Sequence, residues 1–332
     1  MARVSVLTRV VAAAAGLAVF AAGAAATPGK TRVLWLGSKV YVTADGSSWR
    51  DVTPSDIVPP ASIDNVAFPG SREGWLVASA CGSGRGAVYR TGDAGRHWTR
   101  YRFQSHYCGA GSNFLLSALD ARRAWVVRNE PAASYASLLA TTNGGRSWRK
   151  VQASLPDNGA VTFVDGRRGW LTSGRLYRTV DGGRTWRRQA LPAPSGFKGK
   201  LLALSRMSFF GRQGVVVGEH YFRKRDVLGI YRTSDTGSHW QLVSTLPGAG
   251  AYVFPQFTLS ALSASTIWLF TSGVKPVANV TTDGGRHWSR HPLAQRLFAP
   301  VALSARVAAA SDFHGVPYIT RDGGRTWRPL RL

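Results

Sequence analysis

The chain has 332 residues, with 42 Lys or Arg against 17 Asp or Glu, a formal charge of +25. Two cysteines and seven scattered histidines are too few and too dispersed to build a four-ligand metal centre, so neither a metal nor a cofactor is expected. Beyond residue 26 no stretch approaches the roughly 20 apolar residues that a membrane-spanning helix requires, and no transmembrane span is expected.

In chain order, the first 26 residues read as a secretory signal peptide. Arg3 and Arg9 give it a positive start, Val10 to Ala25 is an apolar run, and Ala24-Ala25-Ala26 offers small residues for cleavage. No cysteine sits at the cleavage point, so lipid attachment is not expected. The mature protein is then secreted or otherwise extracytoplasmic. Removing Arg3 and Arg9 lowers the formal charge from +25 to +23.

From residue 30 to 332 the chain is one domain of repeats. The first, from Arg32 to about Pro54, contains the shortened box TADGSSW and is short by one strand. Either the ring closes imperfectly there or a strand from elsewhere completes it. An eight-residue box then returns as TGDAGRHW at 91, TTNGGRSW at 141, TVDGGRTW at 179, TSDTGSHW at 233, TTDGGRHW at 281 and TRDGGRTW at 320. Cys81 and Cys108 flank the box at 91, and a lone pair in an oxidising compartment predicts a disulfide between two neighbouring loops.

The closing tryptophans, Trp49, Trp98, Trp148, Trp186, Trp240, Trp288 and Trp327, lie 38 to 54 residues apart. That period, with short strands inside it, predicts propeller blades. Residues 161 to 186 show the unit: an alternating strand, a Gly-rich turn, a strand at GWLTS, a tight turn, a strand at LYRT, the box, and a fourth strand from Trp186. The second strand recurs as GWLVAS at 74, AWVVRN at 124, GVVVGE at 214 and IWLFTS at 267. The reading is therefore all-β: a single seven-bladed β-propeller of four-stranded antiparallel blades. A six-bladed ring with an appended hairpin is the alternative.

The boxes resemble the Asp-box repeats of sialidases and many other propellers. Physically, each predicts a hairpin in which Asp45, Asp93, Asp181, Asp235, Asp283 or Asp322, or Asn143 in their place, accepts hydrogen bonds from backbone N–H groups of its own turn. The Gly two residues on adopts a positive φ, and the Trp returns to the sheet. Asn143 keeps an acceptor but cannot serve as acid, base or anionic ligand. The boxes are structural staples on this reading, and no catalytic residue is assigned.

Sialidases pair an arginine triad with a Tyr-Glu nucleophile, usually announced by Arg-Ile-Pro, and no Arg-Ile-Pro occurs. Glu219 and Tyr221 share a strand face and offer the nearest approach to such a pair. The alternative function is accordingly a sialidase-like glycoside hydrolase. The order from Phe163-Val164-Asp165 through Gly169-Trp170 to Trp186 resembles the photosystem II assembly and stability factor family. That resemblance implies an exported seven-bladed scaffold acting through basic surfaces without catalysis.

Arginines also keep step with the repeat. Arg96, Arg146, Arg184, Arg286 and Arg325 stand two residues before a box Trp, and Arg187 and Arg188 follow Trp186. They predict an arginine-rich rim, the candidate binding surface for an acidic protein segment or an anionic cell-envelope polymer. Export makes nucleic acid an unexpected partner. A rim that merely solvates outer edge strands, or a GC-rich genome, would give the same arginine bias. A secreted, monomeric, non-catalytic binding or assembly scaffold is the expectation.

Overall fold

The computed structural model describes residues 31–59, 61–80, 85–104, 114–130, 135–196, 199–222, 225–248, 257–272 and 275–332. The expected signal peptide and the Cys81–Cys108 bridge lie outside the described residues. Among those residues the secondary structure is strand throughout, in seven separate antiparallel sheets, and no helix is long and apolar enough to cross a membrane.

Blade I comprises Arg32–Leu36, Lys39–Thr43 and Arg50–Asp51. Blade II has Ala61–Ala67, Gly74–Ala80, Arg85–Thr91 and Thr99–Gln104; blade III has Phe114–Ala118, Ala124–Glu130, Tyr135–Thr141 and Arg149–Gln152. Blade IV follows with Ala160–Phe163, Gly169–Thr172, Leu176–Thr179 and Arg187–Gln189. Blade V has Lys200–Leu204 and Ser208–Phe210, then Gln213–Phe222, Arg225–Thr233 and Gln241–Pro247. Blade VI runs through Phe257–Ala261, Ile267–Thr271, Val277–Thr281 and Ser289–Pro292, and blade VII through Leu297–Ala302, Ala308–Asp312, Pro317–Thr320 and Arg328–Pro329. Sequence order is sheet order along each blade, with Ser208–Phe210 of blade V off that path, and the first strands of blades II, III and IV and of blades VI and VII approach one another. The molecule is a seven-bladed β-propeller.

Second strands are buried on both faces, as Gly169–Thr172 and Ile267–Thr271 show residue by residue. This explains their unbroken apolar runs, which a half-solvated strand would interrupt. Trp75, Trp170 and Trp268 on these strands are fully buried. The box Trp of each of blades II to VII fills the layer between its own blade and the one before. Trp98 joins the core of blades I and II, Trp148 that of II and III, Trp186 that of III and IV, and Trp240 that of IV and V. Trp288 and Trp327 repeat this for V and VI and for VI and VII. The contacts are edge-on, for example Trp98 on Phe68 and Trp148 on Trp75, both at 6.2 Å between ring centres.

The shortened repeat yields a three-stranded blade. Its box lies between Lys39–Thr43 and Arg50–Asp51, so the strand it lacks is the innermost. Among the described residues no strand from elsewhere completes the sheet. The flanking blades close over the gap instead: Leu34 is 1% exposed, Trp35 is 4% exposed, and Ile63 N–H of blade II donates to the Gly37 carbonyl at 3.3 Å. Blade V departs in the other direction. Its inner strand is broken at 205–207, and both pieces pair with the ten-residue strand Gln213–Phe222.

Candidate functional site

The boxes set the geometry of one end of the disk. In blade II the Thr91 hydroxyl donates to Asp93 Oδ1 at 2.8 Å and accepts from Gly95 N–H at 2.9 Å, while His97 N–H donates to Asp93 Oδ1 at 2.9 Å. The same triangle of Thr, Asp and Gly recurs around Asp181, Asp235, Asp283 and Asp322. Gly95, Gly145, Gly183, Gly237, Gly285 and Gly324 all have positive φ, 71° to 94°. A backbone bond then docks each turn onto the loop joining the first two strands of its blade, as Gly182 N–H to Arg167 O at 2.8 Å and Gly323 N–H to Arg306 O at 2.9 Å.

These carboxylates are kept ionised. The hydroxyl and N–H of Ser47 hold Asp45 down to about 2. Partial burial pushes Asp181 up, but hydrogen bonds from Thr185, Thr179 and Arg184 N–H outweigh it and bring it to about 2. His97 N–H does the same for Asp93, which lies lower still. Asn143 substitutes by inverting one bond. Its Oδ1 accepts from Thr141 and from Ser147 N–H, both at 3.0 Å, and its Nδ2 donates to the Ser147 hydroxyl at 2.8 Å. Each box acid bonds within its own turn, Asp93, Asp235 and Asp283 also to the rings of His97, His239 and His287, and among the described residues no group of three or more His, Cys, Asp or Glu is placed to hold a metal ion.

The rim arginines are exposed at the box corners. Arg184, Arg286 and Arg325 fold back onto the carbonyls of their own box residues, Asp181, Asp283 and Asp322. Arg187 is exposed on the outermost strand of blade IV beside Arg188. A second arginine set is half-buried and joins blades. Arg178 Nη2 donates to Ser238 Oγ in the box of blade V at 3.2 Å, Arg90 packs against Gly144, and Arg232 against Gly284. Arg50 Nη2 reaches Ala94 O at 2.7 Å, and at the ring seam Arg321 Nη2 reaches Gly46 O at 3.4 Å. Part of the arginine surplus is therefore spent on holding blades together. The signal was present in the repeated Arg before the box Thr, at 90, 178 and 232.

Of the rim set, Arg188 opens onto a concave surface. At the end opposite the boxes, a cleft of about 990 Å³ lies between blades IV and V. Leu176, Leu191, Leu201 and Leu202 line it, with Arg175, Arg188 and Lys200 on its walls. Leu202 is 47% exposed. Asp157 accepts from Ser173 Oγ at 2.7 Å and lies 3.7 Å from Arg175, leaving three cations to one carboxylate. At the back wall His220 Nε2 is 2.7 Å from Tyr231 Oη, which donates to Pro192 O at 2.9 Å. With that phenol proton committed, His220 Nε2 is the donor; burial lowers the pKa of His220 and pushes Tyr231 up to about 12. Sequence periodicity gave no sign of this cleft, because its residues come from turns, linkers and four strands of two repeats.

Glu219 and Tyr221 do share a strand, Gln213–Phe222, but in unlike settings. Glu219 is 3% exposed, opposite Leu228, and burial together with the charge of Asp226 pushes it up to about 7. Tyr221 stands opposite Asp226 and Lys200.

Comparison with protein-family models and with curated protein sequences finds no match. Solved structures do match. "YCF48 bound to D1 peptide" is 17% identical with a TM-score of 0.54, over 81% of this chain and 82% of that one. "YCF48 from Cyanidioschyzon merolae" is 20% identical with a TM-score of 0.54, over 83% and 87%. A GH74 xyloglucanase from Xanthomonas campestris is 16% identical with a TM-score of 0.55, over 91% of this chain and 53% of that one. At these identities the likeness is one of fold: the chain shares its β-propeller architecture with YCF48 and with a glycoside hydrolase.

Proposed function

We propose that this chain is an exported, monomeric Asp-box propeller that works by binding, capturing an acidic protein segment in the cleft between blades IV and V and so acting as an assembly scaffold. The observation that carries the reading is the composition of that cleft: an apolar floor with Arg175, Arg188 and Lys200 around it and, among the described residues, Asp157 as the one carboxylate in opposition. Such a surface suits an extended peptide that alternates carboxylates with apolar side chains. The peptide-bound YCF48 structure supports the reading, since a propeller of this architecture there holds a peptide. The resemblance to the photosystem II assembly and stability factors points the same way.

The test is fluorescence anisotropy with a labelled ten-residue peptide of alternating Glu and Leu. Binding is expected to weaken steeply with salt, because exposed charges are screened over roughly 8 Å at physiological ionic strength. Arg188→Glu combined with Lys200→Glu should weaken it at least tenfold, whereas Arg96→Glu with Arg146→Glu, far from the cleft, should change it less than threefold. Salt-insensitive binding, or equal losses from both pairs, would overturn the assignment. Release of a fluorescent group from glycosides by the purified protein would favour a hydrolase instead.

A further inference from the structure

Arg206 sits in the break of the blade V inner strand and crosses the axis of the propeller. Its Nη1 donates to Asn65 Oδ1 of blade II at 3.3 Å, and its Nη2 donates to the Leu116 carbonyl of blade III at 2.5 Å. Blades II and III are not neighbours of blade V, so these bonds can be made only across the central channel. Burial of the guanidinium lowers its pKa to about 10, while the residue as a whole is half-buried.

Three features make this arginine unusual. Among the described residues no carboxylate lies within ion-pair distance of it; Asp64, next in sequence to Asn65, turns to Ser79 Oγ at 3.2 Å instead. A guanidinium carries five N–H donors, and among the described residues two of them meet protein acceptors. Around it, Arg206 Nε and Nδ2 of the fully buried Asn65 both lack an acceptor. A cation enclosed without a counter-charge is costly, and a bound anion relieves that cost. The two remaining η N–H groups, one on each nitrogen, can donate to two oxygens of one oxoanion.

We infer that the central channel holds a small oxoanion on the free edge of the Arg206 guanidinium, at a site separate from the cleft between blades IV and V. A phosphate or a simple carboxylate has the size and the paired oxygens for it. The bound ion completes the neutralisation of the channel and ties blades II, III and V through one charge, so its occupancy stabilises the ring.

The experiment measures thermal unfolding of the full chain in 0 to 50 mM sodium phosphate, and separately sodium acetate, with ionic strength held by sodium HEPES. The wild type should show a saturable rise in Tm with each of the two anions, and a rise with one alone would count against the site. In Arg206→Gln the saturable part should be lost, with at least tenfold weaker apparent affinity, while Arg188→Glu in the cleft should keep it. If Arg206→Gln does not fold, phosphorus NMR of phosphate mixed with wild-type protein replaces it: line broadening that acetate reverses supports the site. No saturable response in the wild type, an undiminished response in Arg206→Gln, a phosphate line that stays narrow, or broadening that acetate does not reverse would overturn it.

Discussion

The box Thr hydroxyl is both donor and acceptor in every repeat, and it is the residue that makes the carboxylate and the glycine parts of one turn. In blade IV, Thr179 Oγ1 donates to Asp181 Oδ1 at 2.8 Å and accepts from the buried Gly183 N–H at 3.0 Å. Thr179→Val keeps the shape and orphans that N–H, so a loss of about 1–3 kcal/mol in urea unfolding is expected. Asp181→Asn should cost less than Asp181→Ala, because the amide oxygen can still accept from Thr179 and from Thr185 N–H, as Asn143 does in blade III. Equal losses from the two substitutions would mean that the charge, and not the acceptor, holds the turn. This part of the structure was legible in advance, since Asn143 already showed that an uncharged acceptor suffices. The position of Arg206 was not, because a single residue in a broken strand leaves no period to detect.

Between elements, the unit of cohesion is one side chain reaching from a blade into the next box. Gln189, on the outer strand of blade IV, accepts from Trp170 Nε1 at 3.2 Å and donates to Gly237 O at 2.9 Å and Ser238 O at 3.0 Å in blade V. Gln189→Ala removes three bonds at once and leaves a fully buried indole N–H without its acceptor. An equilibrium loss of about 1–3 kcal/mol is expected, with little change in the far-ultraviolet spectrum of the folded state. Strands and their order could be read from alternation and from the period of the boxes, because both reflect local hydrogen bonding and burial. The bridges could not, since they join residues far apart in the chain, 60 positions for Arg178 to Ser238, 46 for Trp98 to Val52 and 275 for Arg321 to Gly46. Blade I shows the limit well: its missing strand was legible, but how the gap is filled depended on Leu34 and Trp35 packing against neighbouring blades.

Across the whole molecule, acid and base act on different carboxyls. The box aspartates have folded pKa values below their unfolded value of 3.8, so their contribution is complete above about pH 4. It fades as pH falls toward about 2, the value held by Asp45 and Asp181. Asp64 and Glu219 behave oppositely: burial raises both to about 7, so they oppose folding increasingly as pH rises from about 4 and most strongly above 7. Asp64→Asn and Glu219→Gln are therefore expected to raise Tm at pH 8 and to leave it nearly unchanged at pH 4. Thermal melts of the single variants at the two pH values check this, and a rise of equal size at both would contradict it.

The two ends of the disk also differ in how freely they accept change. On the box side, the box turns of blades II to VII have a backbone bonded to a neighbouring loop and a tryptophan wedged between blades. An inserted residue there has nowhere to go without disturbing two sheets. The cleft side is built from linkers and hairpin tips such as 312–317, where Phe313 is 59% exposed. New recognition segments, affinity tags or grafted loops belong on that side, and descendants of this architecture can diversify what they hold there while the opposite side stays a constant frame.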